Sequence, residues 1–224
     1  MDMPIYYDFL INKRISFDVD GVKANTAPLA VRIYNEKFND KKRTSDLTEY
    51  NSVFRWINKI IADELKSQHI AEAIWNDEFV LTKAKPIGGA EIISKLFNDN
   101  GSETHYITSR PGVTNSATIT WFEKWLPWVD KKYIHTSSVM NGIQSGFKAN
   151  LIRELKIDIH FEDSVRHAEE ILKESPKTVV VLVRQPWNLG YSDTNGNSQL
   201  IIAQDKRNVP RLVAAYDALT KKLV

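Results

Sequence analysis

Short runs of β-branched and aromatic residues alternate along the chain with segments whose apolar positions recur at helical spacing. The runs "RISFDV" (14–19), "THYITS" (104–109), "KYIHTS" (132–137), "IDIHFE" (157–162) and "TVVVLV" (178–183) read as strands. The nearly continuous apolar character of the last suits a strand covered on both faces. Between strands, Ala117, Trp121, Phe122 and Trp125 mark one crossover helix, ended by Pro127. Ser164 is placed to cap a helix whose apolar stripe is Val165, Ala168, Ile171 and Leu172. The segment "VPRLVAAYDALTKKLV" (209–224) adds a final helix with lysines in its last turns, where the helix dipole favours them. Strands alternating with helices predict an α/β protein with a Rossmann-like, doubly wound parallel sheet.

The interval 26–84 departs from that alternation. "APLAVRIYNEKF" and "VFRWINKIIADELKSQHIAEAIW" carry helical periodicity without a strand, and the polar "NDKKRTSDLTEYN" separates them. The pattern predicts a small all-helical cap over 26–84, inserted after the first strand of a core made of 1–25 and 85–224. "AKPIGGAEIISKLFNDNG" then returns to the core through a turn and a helix stopped at Asn100-Gly101.

A chain of 224 residues holds one sizeable core with an insertion more readily than two full domains. The hydrophobic share of 42% and charged share of 26% are those of an ordinary globular protein. Net charge is +2, too little for a strong general field around nucleic acid, so a nucleic-acid partner is not expected. The absence of cysteine excludes disulfides, thiolate metal sites and cysteine nucleophiles. No secretory pattern or long apolar span is read, which sets a cytoplasmic location and no membrane partner as the expectation.

In doubly wound sheets, ligands bind beyond the carboxyl ends of the strands. The first strand delivers Asp18 and Asp20 there, the second Thr108, Ser109 and Arg110, and the fourth Glu162 and Asp163. Lys148 begins the helix before that fourth strand; Lys156 lies nearby, at the helix-to-strand turn. Carboxylates, a hydroxyl and a cation at one sheet edge suit a magnesium ion and a phosphoryl group. Asp18 is placed to attack phosphorus and form an acyl phosphate. Asp20 is placed to protonate the leaving oxygen and later deprotonate water, with Gly21 bending the turn. Thr108 and Lys148 would hold phosphoryl oxygens, while Asp18, Asp20 and Asp163 offer oxygens to the metal.

With these residues in place, the chain resembles the haloacid dehalogenase superfamily of phosphatases. "FDVDGV", "YITSR", Lys148 and "IHFEDS" are similar to its four motifs in order. Within it, "DVDGVKANT", "DLTEYN", "KPIGGAEIISKL", "ITSRPG", "FEDSVRHAEE" and "QPWN" together resemble the 5′(3′)-deoxyribonucleotidase type and its bacterial and phage relatives. The resemblance implies a magnesium-dependent phosphatase with a helical cap, Asp163 as the metal ligand and Glu162 in support. It also implies a small phosphomonoester substrate, a nucleoside or deoxynucleoside monophosphate, and is compatible with a homodimer. Lys23 departs from the pattern, since many relatives carry an apolar residue there.

In the insertion, Phe54, Trp56, Trp75 and Phe79 are either a platform for a nucleobase or cap core. Ser109 and Arg110 are candidates for substrate contact. The five histidines show no metal-ligand spacing, and His105 and His160 read as packed strand residues. "VRQPWN" either closes over the site or is an ordinary loop with Trp187 plugging the core. Two rival functions stay open: a phosphatase for another metabolite or a polynucleotide 3′-phosphate, and a non-catalytic module that binds a phosphorylated ligand.

Overall fold

Strand β1 (Arg14–Phe17) lies in the middle of the sheet, and everything that positions the site follows from that place. The computed structural model describes residues 12–137, 146–193, 196–204 and 209–223. After β1 come the two-residue β2 (Ala24–Asn25) and four helices: α1 (Ala27–Phe38), α2 (Ser52–Ile61), α3 (Glu64–Trp75) and α4 (Glu78–Lys83). β3 (Lys85–Pro86) pairs antiparallel with β2, Asn25 opposite Lys85, so the chain leaves and re-enters the core at one point. The core continues through α5 (Ala90–Asp99), β4 (Glu103–Pro111), α6 (Asn115–Trp125), β5 (Ile134–Ser137), α7 (Phe147–Glu154) and β6 (Ile159–Glu162). It ends with α8 (Val165–Glu174), β7 (Val179–Leu182), β8 (Leu200–Ile202) and α9 (Arg211–Leu223).

The six-stranded sheet has the order β5-β4-β1-β6-β7-β8 with parallel pairing throughout, the α/β fold read from the sequence. β1 is flanked by β4 and β6, so the chain builds one half of the sheet and then crosses β1 to build the other. That is the switch point at which doubly wound sheets form a crevice.

Alternation along the strands fills both faces. Ile15 and Phe17 join Phe97 of α5, Trp121 and Phe122 of α6 and Leu212, Ala215 and Leu219 of α9 in one buried cluster. Phe17 is stacked on Phe161 at 4.6 Å between ring centroids. On the opposite face Ile107, Val180 and Leu182 meet Ala149 and Ile152 of α7 and Ala168 and Ile171 of α8.

Between β2 and β3 the chain is helical, and α1 to α3 enclose a separate cluster that includes Ala30, Val31, Tyr34, Leu47, Val53, Ile57 and Ile74. The long helical pattern from Val53 to Trp75 breaks in the middle. Ala62 closes α2 in the left-handed region at φ 54°, and the Asp63 carboxylate opens α3 by accepting from the Lys66 amide at 3.0 Å. α4 packs against α6 of the core as well as against α1 and α3.

Candidate active site

The turn after β1 is built to bring two loops together. The Asp18 amide still donates to the Phe161 carbonyl of β6 (2.9 Å), which holds Asp18 at the strand end. The chain then doubles back, with Gly21 donating to the Ala24 carbonyl and Lys23 to the Val19 carbonyl. Gly21 has φ +80°, and a Cβ there would lie 2.2 Å from Oδ2 of Asp163. Glycine therefore serves both conformation and close approach of the first loop to the carboxylate that follows β6.

Lys148, in the first turn of α7, reaches Oδ1 of Asp18 and Oε2 of Glu162, both at 2.8 Å, and all three are buried. Burial works against the charged lysine, but the two carboxylates outweigh it and hold Lys148 above its ordinary value. Glu162 is saturated. Its Oε1 accepts from the amides of Asp163 (3.1 Å) and Ser164 (3.0 Å), and its Oε2 also faces Nε2 of His160 at 3.3 Å. Burial would raise its carboxyl, yet Lys148 and the two histidines, His160 and His167, keep it well below the usual range.

Asp18 and Asp163 are left with excess negative charge around them. Burial, opposed by Lys148 and reinforced by Glu162 and Asp20, pushes Asp18 up to about 8. Burial together with Glu162 and Asp18 raises Asp163 well above its ordinary value. Oxygens from Asp18, Glu162 and Asp163 lie within 4.8 Å of one another. An all-oxygen donor set crowded with more negative charge than one lysine balances fits a hard divalent cation. Both oxygens of Glu162 are engaged, whereas Asp18 is bonded through Oδ1 and Asp163 through Oδ2, so these two carboxylates could each offer their other oxygen to a cation.

The Asp20 side chain does not join that cluster. Its carboxylate receives a bidentate pair from Arg110, Nε to Oδ2 at 2.8 Å and a terminal nitrogen to Oδ1 at 2.7 Å. Asp20 is expected from the sequence to offer an oxygen to the metal; in this structure the guanidinium occupies both oxygens of its side chain. Arg110 is buried and also donates to Thr118 of α6, so it faces Asp20 rather than open solvent. Thr108 is buried beside them and accepts from the Arg110 amide (3.2 Å), and Ser109 is half-buried next to it. Lys156 sits in a left-handed turn at φ 52°, past the end of α7, and Lys148 is the lysine in the site.

The aromatics expected at the substrate divide differently from the sequence reading. Phe54, Trp56 and Trp75 are partly buried and pack against the cluster of α1 to α3; Trp56 lies 5.1 Å from Tyr34 and has Lys42 over its face. Phe79 is exposed beneath Arg32. Tyr50, in the turn before α2, approaches the site through His167, whose ring nitrogen lies 3.8 Å from Oε2 of Glu162. Its ring meets His167 edge-on at 6.1 Å. Tyr50 as a whole is 53% exposed, while burial of its hydroxyl end, opposed by Lys148 and reinforced by Asp163, Asp18 and Glu162, raises the phenol above its ordinary value. Tyr50 lies inside "DLTEYN", a polar stretch outside the helical periodicity that marks the aromatics after it. His167 was also missed, although it occupies the first turn of the helix capped by Ser164.

Trp187 completes the site. Its indole Nε1 donates to Oδ2 of Asp163 at 2.9 Å, while its ring packs on the cluster of α1 to α3. His160 and His105 are the packed residues expected: His160 bonds Ser16 at 2.7 Å, and His105 lies between Glu103 and His135.

Comparison with known proteins places these features in context. The model of a family described as 5′ nucleotidase, deoxy (pyrimidine), cytosolic type C matches residues 12–192. A Bacillus cereus protein named "Putative nucleotidase" is 25% identical over 90% of this chain and 93% of its own length. A similarly named Oceanobacillus iheyensis protein is 22% identical over 94% and 99%. Among solved structures, CbbY from Rhodobacter sphaeroides in complex with phosphate superposes with a TM-score of 0.55 at 14% identity, covering 83% of this chain and 92% of that one. A haloacid dehalogenase hydrolase from Entamoeba histolytica superposes with a TM-score of 0.52 at 15% identity, covering 76% and 83%. These likenesses concern the fold.

Proposed function

The chain belongs to the deoxy (pyrimidine), cytosolic type C 5′ nucleotidase family and is a phosphatase of the haloacid dehalogenase superfamily, and from that premise we propose that it hydrolyses nucleoside or deoxynucleoside monophosphates through an aspartyl-phosphate at Asp18. The observation that carries the chemistry is the buried Asp18–Lys148 contact beside Asp163, at the carboxyl end of the central strand.

The steps follow from the side chains. The Asp18 carboxylate forms an O–P bond as the ester P–O bond breaks, and Asp20 gives a proton to the departing alkoxide. Asp20 then takes a proton from water, the resulting oxygen attacks phosphorus, and the bond from Asp18 to phosphorus breaks to release inorganic phosphate. To act at the leaving group, Asp20 carries the proton that it donates and turns away from Arg110, its partner in the free enzyme. Lys148 balances charge on the transferring group and orients Asp18, and the Thr108 hydroxyl is placed to hold a phosphoryl oxygen. Asp18 and Asp163 would hold a magnesium ion, which supplies charge neutralisation of the phosphoryl oxygens and lowers repulsion between the carboxylates.

Nucleotide preference is supported by the family match and by Tyr50, a half-exposed aromatic that meets His167 next to Glu162. The test is phosphate release with magnesium across 5′- and 3′-nucleoside monophosphates, sugar phosphates and a 3′-phosphorylated oligonucleotide. Preferential cleavage of mononucleotides is expected. Activity confined to sugar phosphates or to the oligonucleotide overturns the substrate class while keeping the chemistry.

A further inference from the structure

The segment after β7 touches the catalytic carboxylates and the helical insertion at once. Residues Pro186–Asn188 form a short 3-10 turn fastened to the core on several sides. Asn188 Nδ2 donates to the Asp163 carbonyl (2.7 Å) and the Val183 carbonyl (2.9 Å). Gln185 Nε2 donates to the Gly21 carbonyl, and Arg211 of α9 donates in turn to Oε1 of Gln185. Arg184 bonds the carbonyls of Ala203, Asn188 and Tyr191. The turn is thus held to the backbone of both loops that carry the site's carboxylates, the one after β1 and the one after β6.

Trp187 is the member of this turn whose ring leaves the core. It lies on the apolar cluster built from α1 to α3, and the Thr44–Asp46 turn of the insertion rests against Pro186–Asn188. Its indole N–H meanwhile fixes Oδ2 of Asp163, the same oxygen that faces Gly21. A ring seated in the insertion cannot shift without moving the hydrogen bond that sets the plane of this carboxylate.

We propose that Trp187 is a positioning residue that couples the placement of the helical insertion to cation binding at Asp163. The inference deepens the phosphatase reading and rests on it for the identity of the cation. By thermodynamic reciprocity, if the seated insertion orients Asp163 for the metal, then bound metal also favours the seated insertion. A ligand that closes the insertion onto the core tightens metal binding through the indole. Hydrogen bonds to metal-ligating carboxylates are commonly worth one to two orders of magnitude in metal affinity.

Trp187→Phe keeps the ring and removes the N–H. Calorimetric titration of the full chain with magnesium alone is expected to show affinity weakened by roughly 10-fold in this variant. Inorganic phosphate, added as a site ligand, is expected to tighten magnesium binding in the parent and to do so less in Trp187→Phe. Excess magnesium should restore most of the variant's kcat. If Trp187→Phe does not fold, Trp187→His, which returns an N–H in a smaller ring, is compared with Trp187→Leu; the histidine variant is expected to bind magnesium more tightly. A folded Trp187→Phe with unchanged magnesium affinity and an unchanged phosphate effect overturns the coupling, as does equal affinity of the histidine and leucine variants. Weakened magnesium binding in a protein that cleaves no phosphomonoester would keep the coupling and reject the nucleotidase reading. Normal hydrolysis with unaltered magnesium affinity would do the reverse.

Discussion

Gly21 and Lys23, two residues apart in one turn, show how single side chains set the site and its cost. Gly21→Ala would place a methyl against Oδ2 of Asp163 in a backbone conformation unfavourable to alanine. The expected result is loss of nearly all phosphatase activity and destabilisation by more than about 1 kcal/mol, read by urea unfolding. Unaltered kcat in Gly21→Ala would mean that the two loops need not approach so closely. Lys23, the departure from the family pattern, is wholly buried, with Nζ 3.4 Å above the Phe17 ring and bonded to Ser94 Oγ at 2.7 Å. Its aliphatic stem fills a place suited to an apolar residue. Burial pushes its amine well below its ordinary 10.5. The unfolded chain therefore binds more protons in the window between the depressed value and 10.5, so this group makes stability rise as pH rises. Lys23→Met is expected to stabilise the fold at pH 7 by about 1–3 kcal/mol and to flatten that rise. Equal pH dependence in both proteins, from denaturant unfolding at pH 7 and pH 9.5, would remove this account of the lysine. At this scale the meeting of Asp18, Asp163 and Lys148 was legible, the two aspartates from strand ends and the lysine from the start of its helix. The pairing of Asp20 with Arg110 was not, since residues 90 positions apart meet through β4 and the turn after β1. Nor was the reach of Tyr50 and Trp187, which depends on how the insertion sits.

Among the elements, local chemistry decided what could be read. α1 coincides with the helical pattern "APLAVRIYNEKF"; Pro28 suits its first turn and Asn39, tolerant of the left-handed region, closes it at φ 51°. The stretch from Val53 to Trp75 reads as one helical pattern because apolar spacing continues across the break at Ala62 and Asp63. An alanine in the left-handed region gives no sequence signal, whereas Asp63 as a cap does. Ala62→Gly is expected to stabilise the protein by about 0.5–1 kcal/mol, the relief of Cβ strain exceeding the added unfolded-state freedom. A lower urea midpoint for this variant would contradict the assigned break. Strand β8 was missed because three residues after a polar, glycine-containing loop are too few for a period-two pattern. β2 and β3 were missed for the same reason, although their pairing fixes where the insertion leaves the core.

For the whole molecule, the parallel sheet order puts β1 at the switch point, and the family match agrees with the chemistry read at its end. The insertion between β2 and β3 is helical, and its last helix, α4, packs on α6 of the core as well as on α1 and α3. Architecture was legible because alternation and strand-end residues are local signals; substrate choice was not, because it is set by surfaces from different segments. The central claim is that phosphorus is transferred to Asp18. Its most direct test is a single turnover with a deoxynucleoside monophosphate and magnesium, quenched in acid, treated with borohydride and mapped by mass spectrometry. Reduction of an acyl phosphate would leave homoserine at position 18, present only with substrate and absent from Asp18→Asn, which should also lack turnover while keeping its fold. Turnover without modification at position 18, with the mark on another residue or with undiminished rate in Asp18→Asn, would contradict the account.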